Sequence, residues 1–201
     1  MTNIEKKTKL MIALVGESGA GKSTSSAHLA AQGFRLVTIA ANLRKEAQDR
    51  FGVPSREQIQ LHAREVQAEH GNSIYAVKAL SEIGQAYDSD VAIDGLRNSE
   101  ELAFTKEFAA KAGYVFALIA LRVPSVTRFD RVVGRKRDGD PMSRDVFDDA
   151  DEKAMGKGTE GFQQNGYLMD VADYEIENTG ELATLKEKID TIVTEKRAQW
   201  R

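Results

Sequence analysis

Close to the N-terminus, residues Gly16, Glu17, Ser18, Gly19, Ala20, Gly21, Lys22, Ser23 and Thr24 follow the order G-x-x-x-x-G-K-[ST], the spacing of a loop that wraps a phosphate group. Such a loop turns so tightly that successive backbone N–H groups face inward on a β-phosphate, and a Cβ at the glycine positions would obstruct it. Lys22 is then placed to reach the β- and γ-phosphates, and the Ser23 hydroxyl to coordinate magnesium. The expected ligand of this loop is a nucleoside triphosphate with Mg2+.

An acid is needed beside that metal, and Asp94 is the candidate. It ends the short apolar run Val91-Ala92-Ile93, which would bring its carboxylate to the carboxyl edge of a parallel sheet, where ligands of α/β proteins collect. There it would hold Mg2+ directly or through water, and it could accept a proton from an attacking oxygen.

Arginines suggest what is done with the triphosphate. A phosphotransferase with an anionic acceptor needs cations around the acceptor's phosphate and over the γ-phosphate. Arg44, after the second apolar run, and Arg97, three residues after Asp94, are the acceptor candidates, since a planar guanidinium suits a phosphate monoester. Arg128, Arg131 and Arg135 recur at three- and four-residue spacing and so share one helical face. Lys136 and Arg137 follow, then the turn signal Asp138 to Pro141 and the acid-rich stretch Asp145 to Glu152. A helix, a turn and a second helix of this kind have the form of a lid over the triphosphate. The acids could alternatively be the countercharge for the arginine face.

The elements that must position these groups alternate between strand-like and helix-like runs, which predicts an α/β fold with a mainly parallel sheet and helices on both faces. Five strands are expected, at Leu10 to Val15, Phe34 to Ala40, Val91 to Asp94, Tyr114 to Val123 and Tyr174 to Glu177. Helices are expected over Lys22 to Ala31, Asn42 to Arg50, Arg56 to His70 and Ser73 to Tyr87. Another should open at Asn98, with Glu101 three residues on as a cap pair, and run to about Ala112. The stretch Gly156 to Gly166, with four glycines, reads as the mobile part of the chain.

Composition narrows the alternatives. The 201 residues suit one domain, and 28 basic against 31 acidic residues leave a net charge of only -3, so no global basic face argues for nucleic acid. Without cysteine there are no disulfides, thiolate metal sites or cysteine nucleophile. The apolar run after the N-terminal lysines is too short for a signal-peptide core or a membrane span, so a cytoplasmic protein with no membrane partner is expected. His28, His62 and His70 have no ligand spacing.

These motifs together resemble the nucleoside monophosphate kinase group of P-loop proteins, including the dephospho-coenzyme A kinases. Within it, Ile93-Asp94-Gly95-Leu96-Arg97-Asn98 is similar to the Asp-Gly-Ile-Arg-Ser signature of an uncharacterised, largely archaeal adenylate-kinase-related family. The arginine run 128–135, Asp140-Pro141 and the ending Ala172 to Gly180 fit the same family. Thr38 to Arg44 aligns with a kinase stretch that ends in an acceptor-binding arginine, with Ala41-Asn42 in place of its Gly-Asp. The resemblance implies a P-loop NTPase fold, a three-layer α/β/α sandwich with a five-stranded parallel sheet, in one domain over residues 1–201 with a helical lid at about 125–155. It implies ATP and Mg2+ as cofactors and carries Lys22, Asp94, Arg44 and Arg131 into catalytic or acceptor-binding roles; the arginine spacing adds Arg135 to the catalytic candidates. Ser23 and Asp94 would hold the metal; Arg44, Arg97 and Arg128 would bind substrate; Asn178 would lie by the nucleotide.

The expected activity is phosphoryl transfer from ATP to a small phosphorylated acceptor, a nucleoside or deoxynucleoside monophosphate, by a monomer or homodimer. Dephospho-coenzyme A as acceptor and a non-enzymatic, ATP-dependent regulatory role are the alternatives. A GTPase or mechanical ATPase fits less well, because an Asn-Lys-x-Asp motif is missing and Gly95 follows Asp94 where a glutamate is common.

Overall fold

A computed structural model describes residues 9–83, 87–135, 143–156 and 163–199. The predicted turn Asp138 to Pro141, Lys136, Arg137 and most of the Gly156 to Gly166 stretch lie outside them.

The first strand, β1 (Lys9–Val15), decides the architecture. Its six apolar residues are all buried, as expected of a strand covered on both faces. Because side chains alternate across a strand, Met11, Ala13 and Val15 enter one core, whereas Leu10, Ile12 and Leu14 enter the other. The remaining elements, in chain order, are α1 (Lys22–Ala31), β2 (Arg35–Thr38), α2 (Ala40–Phe51), α3 (Arg56–His70), α4 (Ile74–Ser81), β3 (Val91–Asp94), α5 (Ser99–Lys111), β4 (Tyr114–Arg122), α6 (Ser125–Gly134), α7 (Arg144–Met155), α8 (Asn165–Asp170), β5 (Tyr174–Glu177) and α9 (Leu182–Ala198). Helices α2, α3, α4, α5 and α8 supply the first core, with Leu43, Ala63, Leu80, Leu102 and Leu168. Helices α1 and α9 supply the second, with Leu29, Ile189 and Val193.

The strands form one parallel sheet in the order β2-β3-β1-β4-β5. The chain steps from central β1 outward to β2, returns to β3 beside β1, and then crosses to β4 on the other side. In the register, Leu14 of β1 is level with Asp94 of β3 and Ile119 of β4. The loop leaving β1 at Gly16 therefore emerges next to the end of β3, at the switch point where α/β sheets open a crevice.

Several boundaries differ from the sequence reading. Strand β2 ends at Thr38, and the buried Ile39 already has helical dihedrals as the cap of α2; its N–H donates to the Asp94 carbonyl at 3.0 Å. The last backbone bond of that edge therefore doubles as the hinge into α2. Helix α4 stops at Ser81, short of Tyr87. Helix α9 was not assigned from sequence, although Leu185, Ile189, Ile192 and Val193 repeat at helical spacing and are all buried. The short α8 has too few residues for a readable period.

Helices α6 and α7 pack on each other through Phe129 and Phe147, whose rings meet edge to face with centroids 5.5 Å apart. Among the described residues, no helix is long and apolar enough to cross a membrane.

Candidate functional site

The phosphate loop is shaped by what lies behind it. Gly21 has φ +105°, and a Cβ there would sit 2.5 Å from Asn178 Nδ2; Gly19 has φ +82°, and its Cβ would sit 2.7 Å from the Arg128 carbonyl oxygen. Both are left-handed conformations that L side chains resist, in space already taken. The loop is thus wedged between the end of β5 and the start of α6. Asn178, almost fully buried, donates from Nδ2 to the Ala20 carbonyl at 2.9 Å and from its backbone N–H to Arg122 O at 2.9 Å. Its amide group braces the loop from behind.

Lys22 opens α1 and bends back over the loop, its Nζ donating to Gly16 O at 2.7 Å and Glu17 O at 3.0 Å. Burial pushes the Lys22 amine below its ordinary pKa, and the charges of Asp94 and Glu17 act in the opposite direction. The influence of Asp94 ties the end of β3 to the lysine, as the strand register requires. Ser23 and Thr24 are exposed on the first turn of α1.

The three arginines of α6 have separate roles. Arg131, half-buried, donates to Asn178 O at 3.0 Å and to Gly19 O at 3.4 Å. Arg135 is exposed and reaches Ser18 Oγ at 3.4 Å, and its charge adds to the lowering of Lys22. Arg128 does not lie open to an acceptor, contrary to the sequence expectation. It is 2% exposed, donates to both carboxylate oxygens of Asp151 at 2.7 and 2.6 Å, and also to Val123 O at 3.0 Å and Ser18 O at 3.4 Å. Glu17 lies 3.3 Å from the same guanidinium, and the Phe147 ring lies against it at 5.4 Å. A guanidinium carries five donors and no acceptor, so this set spends most of its capacity on protein. Of the two roles the acid-rich stretch offered, Asp151 takes the one of countercharge, and the pair clamps α6, α7 and the phosphate loop together.

On the other side of Asp94 the cations are less enclosed: Arg44 and Arg56 are exposed and Arg97 is half-buried. Burial lowers the pKa of Arg97; Glu101 opposes this, Arg44 and Arg56 lower it further, and Asp94 raises it. Arg44 from α2 and Arg97 from the β3–α5 loop are thus within electrostatic range of each other. Arg56, the first residue of α3, was missed: nothing in the chain marks it until α2 and α3 fold back on each other. A cavity of about 500 Å³, lined by Ser99, Met155, Gly156, Gln164 and Tyr167, adjoins this loop, for the Gln164 N–H donates to Arg97 O at 2.6 Å. Among the described residues, no cluster of three His, Cys, Asp or Glu side chains could enclose a metal by itself.

A five-stranded parallel sheet, helices on both faces and a glycine-rich loop leaving the central strand define a protein of the P-loop kinase fold. Within that class the chain belongs to the AAA_18 family, described as an AAA domain, which it matches over residues 12–156. It is 29% identical to a UPF0200 protein of Hyperthermus butylicus over 170 residues, 85% of this chain and 86% of that one. To the UPF0200 protein PH1008 of Pyrococcus horikoshii it is 27% identical over 195 residues, 95% of this chain and all of the relative. Among solved structures, the shikimate kinase from Acinetobacter baumannii in complex with shikimate superposes with a TM-score of 0.54 at 20% identity, covering 94% and 95% of the two chains. TT1252 from Thermus thermophilus gives 0.61 at 20% identity, covering 94% and 98%. At these identities the two structures share the fold alone.

Proposed function

We propose that the protein is a Mg2+- and ATP-dependent phosphotransferase whose acceptor is a small phosphorylated molecule, most plainly a nucleoside or deoxynucleoside monophosphate. The observation that carries this reading is the convergence of Arg44, Arg56 and Arg97 beside Asp94, on a loop that adjoins an open cavity. Arg44 and Arg56 are exposed and Arg97 is half-buried, so these guanidinium groups are open to an incoming anion, whereas Arg128 is committed to a buried bidentate pair with Asp151.

In this reading an acceptor phosphate oxygen attacks the γ-phosphorus in line, the bond to the β,γ-bridging oxygen breaks, and ADP leaves with that electron pair. Arg44, Arg56 and Arg97 hold the acceptor phosphate, and the cavity by Tyr167 and Gln164 takes the organic part. Lys22 must exchange its loop carbonyls for phosphate oxygens. Asp94, half-buried and level with the loop, orients the attacking group and takes its proton where it has one. Arg131 and Arg135 screen the charge that spreads over the transferred group, with α6 and α7 acting as the lid. Ser23 and Asp94 are the residues that would hold Mg2+, which supplies charge neutralisation across the β- and γ-phosphates.

A coupled ADP-release assay across ribo- and deoxyribonucleoside monophosphates, shikimate and dephospho-coenzyme A tests the proposal. A monophosphate should accelerate ADP release at least tenfold over ATP alone. Stimulation by dephospho-coenzyme A alone would shift the acceptor from a phosphate to a hydroxyl. Tight ATP binding with no stimulation by any compound would replace the kinase reading with a nucleotide-dependent regulatory one.

A further inference from the structure

We propose that Glu101 is a positioning residue whose carboxylate fixes the loop between β3 and α5, so that Arg97 is held ready for the acceptor's phosphate. The inference rests on the reading of Arg97 as acceptor-binding given above.

The start of α5 departs from the ordinary capping pattern in one place. Asn98 is the cap, and its Oδ1 accepts the Glu101 N–H at 2.8 Å. In a capping box the side chain three residues on would return to the backbone N–H of the cap itself. Here the Glu101 carboxylate feels the N–H of Asn98 but also reaches beyond the cap, accepting the N–H of Arg97 at 2.7 Å. An interaction that usually closes a helix end has been extended one residue upstream, onto the residue that would face the acceptor.

The rest of the surroundings stiffen this arrangement. Thr105 Oγ1 donates to Glu101 O at 2.7 Å, and Asn98 Nδ2 donates to the Asn72 carbonyl between α3 and α4 at 3.3 Å. Gln164 reaches in from the start of α8, its backbone N–H on Arg97 O and its Oε1 on the Ser99 N–H at 3.0 Å. Charged groups that interact with Arg97 are Glu101, Arg44 from α2, Arg56 from α3, Asp94 and Lys22 of the phosphate loop. Glu101 is the only one of these that is fully buried, at 2% exposure.

A carboxylate in that place is costly to the fold. Burial raises the Glu101 carboxyl to about 7, against the lowering by the Arg97 and Asn98 N–H groups and the Arg97 charge. An acid raised in the native state loses stability as pH rises, because the unfolded chain releases its proton first. The loss accumulates from the ordinary glutamate range up to about pH 7 and is then constant. A glutamine would keep an oxygen for the Arg97 N–H and remove that loss. Retaining an ionisable group there makes sense if the charge serves Arg97, since an ionised acceptor makes a hydrogen bond about twice as strong as a neutral one.

The test is Glu101→Gln, read three ways. Its melting temperature should exceed that of the wild type by a margin that grows between pH 5 and pH 7 and then levels off. Exchange of the Arg97 amide, followed by NMR at pH 8, should be about tenfold faster than in the wild type. Inorganic phosphate, titrated into the ADP-bound protein as the simplest probe of the acceptor site, should bind about tenfold more weakly at pH 8 and almost equally at pH 6. A variant more stable yet weaker for phosphate establishes positioning, because a merely structural residue would lose stability. Unchanged exchange and unchanged phosphate affinity overturn the proposal. Faster exchange with no phosphate binding in either protein leaves the grip of Glu101 on the loop standing and removes the acceptor reading of Arg97. Should the Gln variant fold poorly, Glu101→Asp, which keeps the charge but shortens the reach, should likewise speed Arg97 exchange; normal exchange there would refute the proposal.

Discussion

Replacing Asp151 with alanine strands the Arg128 guanidinium in a site where it is 2% exposed. The change removes two charge-assisted hydrogen bonds, at 2.7 and 2.6 Å, each worth about 1.5–3 kcal/mol. Breaking a buried ion pair from one side costs about 3–5 kcal/mol. The lower end applies here, because Glu17 remains 3.3 Å away and Val123 O still accepts. With about 3 kcal/mol lost, and about 2–4 °C of melting temperature per kcal/mol in a chain of this size, thermal unfolding by circular dichroism should show a fall of about 6–12 °C. The companion measurement is Arg128→Met with Asp151→Leu, which removes both charges and keeps the volume; it should recover at least half of the fall. ATP affinity should drop in Asp151→Ala, because the freed guanidinium also carries the contact to Ser18 O. A melting temperature within 2 °C of the wild type would refute the clamp and return Arg128 to the candidates for substrate binding.

Three further outcomes follow from the same geometry. Lys22→Ala should lower turnover by more than 100-fold, the scale of a charge contact that strengthens in the transition state; phosphotransfer at the wild-type rate would contradict the assigned chemistry. Arg131→Ala should reduce turnover more than it weakens ATP binding in isothermal titration, and an equal loss in both would make Arg131 a ground-state binder. Gly21→Ala places a Cβ 2.5 Å from Asn178 Nδ2 at φ +105°, so ATP affinity should fall at least tenfold with the helical circular-dichroism signal retained; normal affinity would mean that the loop re-forms around the methyl group.

Much of the site was legible because it is local. The phosphate loop is nine consecutive residues, and the strand before it and the helix after it announce themselves through buried apolar runs and good helix formers. Helix α3 and strands β3 and β5 have the bounds that the pattern predicted; in the structure Ser55 caps α3 with a capping box, and the apolar Val91-Ala92-Ile93 of β3 is fully buried. Strand β2 was overextended because Ile39 favours a strand and its N–H still pairs with the Asp94 carbonyl, whereas Ala40 and the residues after it are helix formers that start α2. The arginine face of α6 was read correctly as a face. Its division into a clamp at Arg128 and two loop-facing groups at Arg131 and Arg135 depends on α7, whose Asp151 lies 23 residues further along the chain.

The sequence by itself determined the phosphate loop, the alternation of strands and helices, and the placing of Asp94 at a strand end, because each follows from the conformational preferences of neighbouring residues. Only the tertiary structure decided which charges meet. Arg44, Arg56 and Arg97 come from three separate elements, and Glu101 and Asp151 find their arginines by burial. Their interaction energies depend on distance and dielectric rather than on position along the chain. The division of the arginines between a buried ion pair at Arg128 and more open positions at Arg44, Arg56 and Arg97 was therefore set by packing, which no local pattern encodes.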